Sequence, residues 1–313
     1  MINVVPKSLT CLKFIVFSLL LATALFSQDK LGHSLPKHGK HFDRVLIVML
    51  ENQNYRVAIQ DPLLAELAAK GANFTNFKAI LHPSYPNYLA LIAGSTFGTH
   101  SDTQVNFPDD KQHRTIADFL DWKSYAEDYP TEPRPFLGIK FGNYARKHVP
   151  FLSFERIQKH GYENVISVNT KDPHNAFVND IENFRKDPER YPLPRFMFYT
   201  PNLDDDGHDP SLRPQVGLRK SSKWLGDFLQ TWFPWQDQKL KGTLLVITYD
   251  ESQGYEPSNH IYTVFLGDMV KSGEVSKAYN HFDILRTIED NFGLSPLQQD
   301  GDGKGEVITD IWK

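Results

Sequence analysis

Four short stretches of this chain are apolar almost without interruption, "RVLIVML" (44–50), "RFMFYTP" (195–201), "TLLVITYD" (243–250) and "IYTVFLG" (261–267), and a fifth, "ENVISVN" (163–169), carries a shorter β-branched core and is read with them. A strand with one wet face alternates apolar and polar residues; a continuous run of β-branched and aromatic side chains has no wet face. Between these runs lie helical patterns: "DPLLAELAAKG" (61–71), "TIADFLDW" (115–122), "GLRKSSKWLGDFLQTWF" (217–233) and "FDILRTIEDNFGL" (282–294). Doubly buried strands alternating with helices predict an α/β fold, a mostly parallel central sheet with helices on both faces. No repeat, low-complexity tract or long linker interrupts this order, so residues 43–313 are expected to form a single domain.

In such a sheet the functional residues collect just past the carboxyl ends of the strands. Glu51-Asn52 follows "RVLIVML", Asp250-Glu251 follows "TLLVITY", and "LDDDGHD" (203–209) lies past "RFMFYTP". A carboxylate flush against a buried strand is costly unless it is paired, hydrogen-bonded or bound to metal. Any one of these acids could cap a helix; two acidic pairs in the same topological position, with an Asp/His cluster at a third, point to a site. The donors Glu51, Asn52, Asp250 and Glu251 are hard oxygens, which suit one divalent ion: Mg²⁺, Ca²⁺, Mn²⁺ or Zn²⁺. Of the histidines, His38 and His41 lie in a polar lead-in (28–42), and His148 and His160 fall in charged loops. His208 belongs to the acidic cluster. His281, at the head of the last helix, reads as a cap neighbour or a substrate contact.

"HPSYPNYLALIAG" (82–94) raises a narrower question. Ser84 reads as the start of a helix, with Pro86 in the first turn where its missing N–H is harmless. It is either an ordinary cap or, if a cation held by the strand-end acids touches its oxygen, a nucleophile. A helix start also offers free N–H groups and a positive dipole end to a phosphate.

The termini and composition limit the alternatives. Lys7 and Lys13 precede a short apolar run, "FIVFSLLLATALF", and the chain then turns polar, the pattern of a secretory signal peptide over residues 1–27. The run is short of the roughly 20 residues that span a bilayer. A secreted or periplasmic product follows, with no stable membrane anchor once the signal is removed. Removal takes two lysines and no acids, leaving 32 basic against 38 acidic residues and a formal charge of −6 in place of −4. That balance argues against nucleic acid as a partner. The only cysteine, Cys11, lies inside the signal, which excludes disulfides and thiol chemistry from the mature chain. Asn73 in "NFT" is a glycosylation sequon. "DGDGKGEVITDI" (300–311) lacks the ligands of a calcium-binding loop at Lys304 and Ile311 and reads as a polar surface turn.

Taken together, "VMLENQNY", "GANFTNFKAILHPSYPNYLALIAGSTFG", "NYARKHVPFLSF", "YTPNLDDDGHD", "LLVITYDES" and "YNHFDILRTIEDNFGL" resemble the phosphoesterase family of the alkaline phosphatase-like superfamily. That family comprises secreted acid phosphatases, phosphatidylinositol 3-phosphatase-like enzymes and phospholipases C. The resemblance spans residues 42–297 and implies a three-layer sandwich. It assigns Ser84 as nucleophile and Glu51, Asn52, Asp250 and Glu251, with Ser84 itself, as the metal side. His208 matches a histidine that contacts phosphate or metal, and Asp206 or Asp204 its acidic companion. Glu251 stands where two-metal relatives carry histidine, which favours a single metal. Sulfatases of the superfamily require an arginine where this chain has Tyr88, so sulfatase activity is not expected.

The implied reaction is hydrolysis of phosphate monoesters through a phosphoserine, with Asn87, His82 and His281 as further substrate contacts. The substrate is a small phosphorylated molecule, a phosphoinositide among the candidates. Residues 124–151, rich in aromatic and basic side chains, are expected to line its pocket. A phosphodiesterase or phospholipase C of the same family is the alternative, and a non-enzymatic secreted binding protein a more distant one. A serine esterase is disfavoured, because "GSTFG" places its serine second and not third.

Overall fold

Strand β1 (Arg44–Leu50) takes the middle of an eight-stranded sheet and carries its interior side chains at zero exposure from Val45 to Leu50. The computed structural model describes residues 38–208, 214–298 and 301–313. The other strands follow as β2 (Ala72–Phe74), β3 (Phe77–Lys78), β4 (Trp122–Glu127), β5 (Lys140–Phe141), β6 (Tyr144–Ala145) and β7 (Val165–Val168). Next come β8 (Phe196–Thr200), β9 (Thr243–Tyr249), β10 (Thr263–Leu266), β11 (Gly273–Val275) and β12 (Tyr279–Asn280). The sheet runs β11-β2-β10-β9-β1-β8-β4-β7, and β10 alone opposes its neighbours; β3/β12 and β5/β6 are small separate ladders.

Helices Ser84–Ala93 and His281–Asn291 pack on each other, whereas Pro62–Lys70 and Pro214–Asp227 form a second group. The result is the three-layer α/β arrangement expected from the alternation. Pro62–Lys70 starts where the sequence says it should: Asp61 accepts from the amides of Leu63 and Leu64, and Pro62 occupies the first turn.

Several local expectations are corrected. "TIADFLDW" does not make an α-helix. Thr115 and Asp118 close a capping box around a single 3₁₀ turn, Ile116–Asp118, and Trp122 already begins β4. The end of the polar lead-in is packed, with Phe42 buried and His41 stacked on Trp312 at 4.8 Å. Asn73 is buried in β2 and donates to Tyr55 Oη, so its sequon faces inward. The "surface turn" holds the buried Asp302, whose carboxylate accepts from the amides of Leu297 and Gln298. The expected signal peptide, residues 1–27, lies outside the described residues. Among the described residues no helix is long and apolar enough to cross a membrane.

Candidate active site

The register of the three central strands builds the site. Leu50 of β1 lies opposite Tyr249 of β9, and the amide of Asp250 donates to the Leu50 carbonyl at 2.9 Å. On the other side the Glu51 amide donates to the Asp206 carbonyl at 2.7 Å. Glu51, Asp250 and Asp206 are thereby zipped side by side past the strand ends, each at 1% exposure or less. Asn52 adopts a left-handed backbone (φ 53) at the abrupt end of β1; its amide donates to Asp250 Oδ1 and its Nδ2 to Glu251 Oε1, both at 2.8 Å.

Ser84 is the first helical residue, and the helix has no side-chain cap. Its hydroxyl, 2% exposed, faces the acids, with Oγ 3.2 Å from Glu51 Oε2 and 3.3 Å from Glu251 Oε1. Its geometry is that of a group presented to a charged cluster, not of a cap. The helix start itself offers a phosphate less than expected. The Tyr85 amide already donates to Asp102 Oδ1 at 3.0 Å, and Pro86 has no N–H.

The donor that sequence reasoning missed is Lys147. Its ammonium donates to Ser84 Oγ at 2.8 Å and to Glu51 Oε2 at 3.1 Å, and lies 3.5 Å from Asp102 Oδ2. Burial opposes its charge, yet Glu51, Asp102 and Asp250 together raise the Lys147 ammonium above its usual range. The adjacent His148, read as an unremarkable loop residue, is 2% exposed and stacks on Tyr88, which donates to Glu51 Oε1 at 2.8 Å. His148 Nε2 lies 2.9 Å from Glu51 Oε1, but the two are not aligned as a hydrogen bond.

Other candidates serve as supports. His82 pairs with Glu251 through Nδ1 and places Nε2 3.2 Å from the Glu256 carbonyl. Asn87, fully buried, accepts from the amides of Ile80 and Leu81 and donates to the carbonyls of Leu81 and Pro83. Its amide is used up in holding the loop before Ser84, which corrects its expected contact with substrate. His281 is corrected as well: its Nε2–H donates to the Tyr249 carbonyl at 3.0 Å, and burial lowers its pKa to about 4. Asp204 is exposed and bound to Asn143, so Asp206 is the acid that enters the cluster. His208 is exposed; its backbone amide donates to Asp206 Oδ1, and its ring has no partner among the described residues.

The cluster is electrostatically unbalanced. Burial pushes Glu51 up, but Lys147 and His148 hold it well below the ordinary carboxylate range. Asp250 is raised well above that range by burial and then by Glu51 and Glu251; Asp206 is raised by burial and Glu51, as is Glu251. Four buried polar atoms here lack any hydrogen-bond partner: Asn52 Oδ1, Asp206 Oδ2, Asp250 Oδ2 and His148 Nε2. Orphaned buried acceptors are rare and call for an unseen ligand. Glu51, His148 and Asp206 each offer one ligand atom, all within 4.8 Å of one another. The residues therefore fit a divalent cation, and the imidazole turns the all-oxygen set expected from sequence into a mixed one that suits Zn²⁺ or Mn²⁺.

The phosphoesterase family model matches residues 52–295. A phosphatidylinositol-3-phosphatase of Mycobacterium tuberculosis is 34% identical over 87% of this chain and 83% of its own length. An acid phosphatase of Aspergillus fumigatus is 31% identical over 83% of this chain, but the match spans only 57% of that protein. The crystal structure of an alkaline phosphatase superfamily protein from Vibrio parahaemolyticus superposes with a TM-score of 0.57 at 14% identity, covering 87% of this chain and 71% of that one, a likeness of fold.

Proposed function

The chain belongs to the phosphoesterase family, and from that premise we propose that it is a metal-dependent phosphatase that cleaves phosphate monoesters through a phosphoserine at Ser84. The observation that carries this is that the Ser84 hydroxyl lies within hydrogen-bond reach of two carboxylates, Glu51 and Glu251, and of the Lys147 ammonium. Ser84 Oγ forms the new bond to phosphorus, the ester P–O bond breaks, and the alcohol leaves with a proton. The Ser84 proton passes to Glu251 Oε1 or Glu51 Oε2, the oxygens it already faces. Lys147 points at the same Oγ and neutralises charge as it develops there, in a site from which water is largely excluded. His82 and Asn52 fix Glu251, and Tyr88 fixes Glu51, so the acceptors need no reorganisation. Glu51, Asn52, Asp206, His148 and Asp250 would hold the cation, which when bound polarises phosphoryl oxygens and eases loss of the hydroxyl proton. Water then hydrolyses the phosphoserine; His208, exposed at the solvent side, is the candidate to exchange protons with the alcohol.

The similarity to acid phosphatases and to a phosphatidylinositol-3-phosphatase supports the monoester reading over the diesterase, and phosphatidylinositol 3-phosphate is for that reason one of the substrates to assay. Export of the protein is part of the same proposal. The test is Ser84→Ala, expected to fold as wild type and to lose about 10³-fold or more in p-nitrophenyl phosphate turnover. Acid-quenched wild type should retain phosphate on the peptide that contains Ser84. Wild-type rates in Ser84→Ala would reject the assignment.

A further inference from the structure

Asp204, Asp205 and Asp206 are three identical side chains in a row, of which Asp206 alone is buried, while Asp204 is exposed. The segment that carries them begins after β8 has ended at Thr200, so no strand periodicity selects the one that turns inward.

The selection is made at Asn202. Its carbonyl accepts from the amides of Asp205 at 3.1 Å and Asp206 at 2.9 Å, and its Oδ1 accepts from the amide of Asp204 at 3.0 Å. A side-chain oxygen bonded to the amide two residues on is an Asx turn, which winds the backbone locally without help from a helix or strand. All three aspartate amides are thereby tied to one residue. The turn ends with the Asp206 carbonyl on the Glu51 amide at 2.7 Å, at the strand ends of the site.

What holds Asn202 is Glu127, the last residue of β4, 1% exposed and without a part in the reaction described above. Its Oε2 accepts from the Asn202 amide at 3.0 Å. Its Oε1 accepts from Tyr199 Oη and from Trp224 Nε1, both at 2.9 Å. Tyr199 belongs to β8 and Trp224 to the helix Pro214–Asp227, so one oxygen is fixed on the frame of the protein and the other is presented to the turn. A second link from the same strand end runs from Asn202 Nδ2 to Asp128 Oδ2 at 2.9 Å. Burying a carboxylate is costly, and burial pushes Glu127 up to about 7. Apolar side chains of similar shape could fill the same space at little or no loss of stability. The carboxylate adds an acceptor at each end, and the free end is spent on the residue that winds the aspartate run.

We propose that Glu127 is a positioning residue of the active site: by anchoring Asn202 it sets the register of the aspartate run and brings Asp206, not Asp204 or Asp205, to the cation. This rests on the reading of Asp206 as a cation ligand. Partners that orient a metal ligand from behind are worth about 10–100-fold in affinity. Glu127→Leu, close in size, removes both acceptors. The control, Tyr199→Phe/Trp224→Phe, strips the two donors from Oε1 and leaves the bond to Asn202. Both variants lose buried hydrogen bonds, but only the first releases the turn. Isothermal titration of Mn²⁺ into the full chain at pH 8 reads the difference without any turnover. Kd should rise about tenfold in Glu127→Leu and stay within about twofold of wild type in the control. Equal Kd in Glu127→Leu and wild type, or the same rise in the control, overturns the proposal. Should Glu127→Leu not fold, Glu127→Asp keeps the charge and withdraws it from Asn202 by one methylene; Kd should again rise, and a wild-type value overturns the proposal. If the wild type takes up no Mn²⁺, the cation reading fails and this proposal with it, whereas equal uptake by wild type and variant defeats this proposal alone.

Discussion

Asp250→Asn should make the protein more stable without a divalent cation and less responsive to one. Asp250 is fully buried; Oδ1 accepts from the amides of Asn52 at 2.8 Å and Glu251 at 2.7 Å, while Oδ2 has no partner. Asparagine keeps the oxygen that accepts and replaces the orphan with an N–H₂ that can donate toward Glu51 or Glu251. An unsatisfied buried polar group costs about 1–3 kcal/mol, more when charged, and the like charges of Glu51 and Glu251 raise the cost further. In EDTA at pH 7 the variant is therefore expected to gain about 2 kcal/mol. A cation at 100 times its Kd stabilises the wild type by about 2.7 kcal/mol. The variant, which lacks one ligand charge, should gain little of this. Urea unfolding of both proteins in EDTA and in excess Mn²⁺ gives four free energies whose order must cross. A variant weaker than wild type in EDTA, or equally stabilised by Mn²⁺, would show that the acids do not form a cradle in need of a cation.

Asn87→Ala should cost about 2 kcal/mol of stability, because it strips hydrogen-bond partners from the amides of Ile80 and Leu81. Since that loop sets Ser84, kcat on p-nitrophenyl phosphate should fall more than KM rises; an unchanged kcat would deny Asn87 its positioning role. Glu289, wholly buried, is pushed up to about 9 by burial and by the neighbouring Asp302 carboxyl. A raised carboxyl favours the fold most below the ordinary pKa of glutamate, and that stability drains away as pH rises toward 9, by about 1.4 kcal/mol per unit. Glu289→Gln mimics the protonated form, keeps the bond from the Leu297 amide, and should flatten the decline between pH 5 and pH 9 in urea titrations. Parallel slopes in variant and wild type would refute the assignment.

What could be read from the chain follows from where burial leaves a periodic trace. Strands β1 and β9 were legible to within a residue because their seven-residue spans are covered on both faces, so no polar side chain breaks the run. Strand β4 was not: Lys123 reaches out to Asp180, Ser124 and Glu127 are buried polar residues, and the pattern "WKSYAE" resembles neither template. The same logic divides the site. Glu51, Asn52, Asp250 and Glu251 stand directly after doubly buried strands, where topology alone marks them. Asp206 comes six residues after the end of β8, far enough that the run of three aspartates hid which one turns inward. Lys147 and His148 ride on a 3₁₀ turn, Arg146–His148, that continues no strand of the central sheet, so no rule of strand ends could single them out. A compositional trace was nevertheless present. Sixteen residues without an acid, ending in Arg-Lys-His, are out of place in an acidic chain unless something negative lies opposite. Opposite lie four carboxylates from three strand ends. A buried acidic cluster, none of its four members more than 5% exposed, needs positive charge from somewhere, and the sequence offers that charge at residues 146–148.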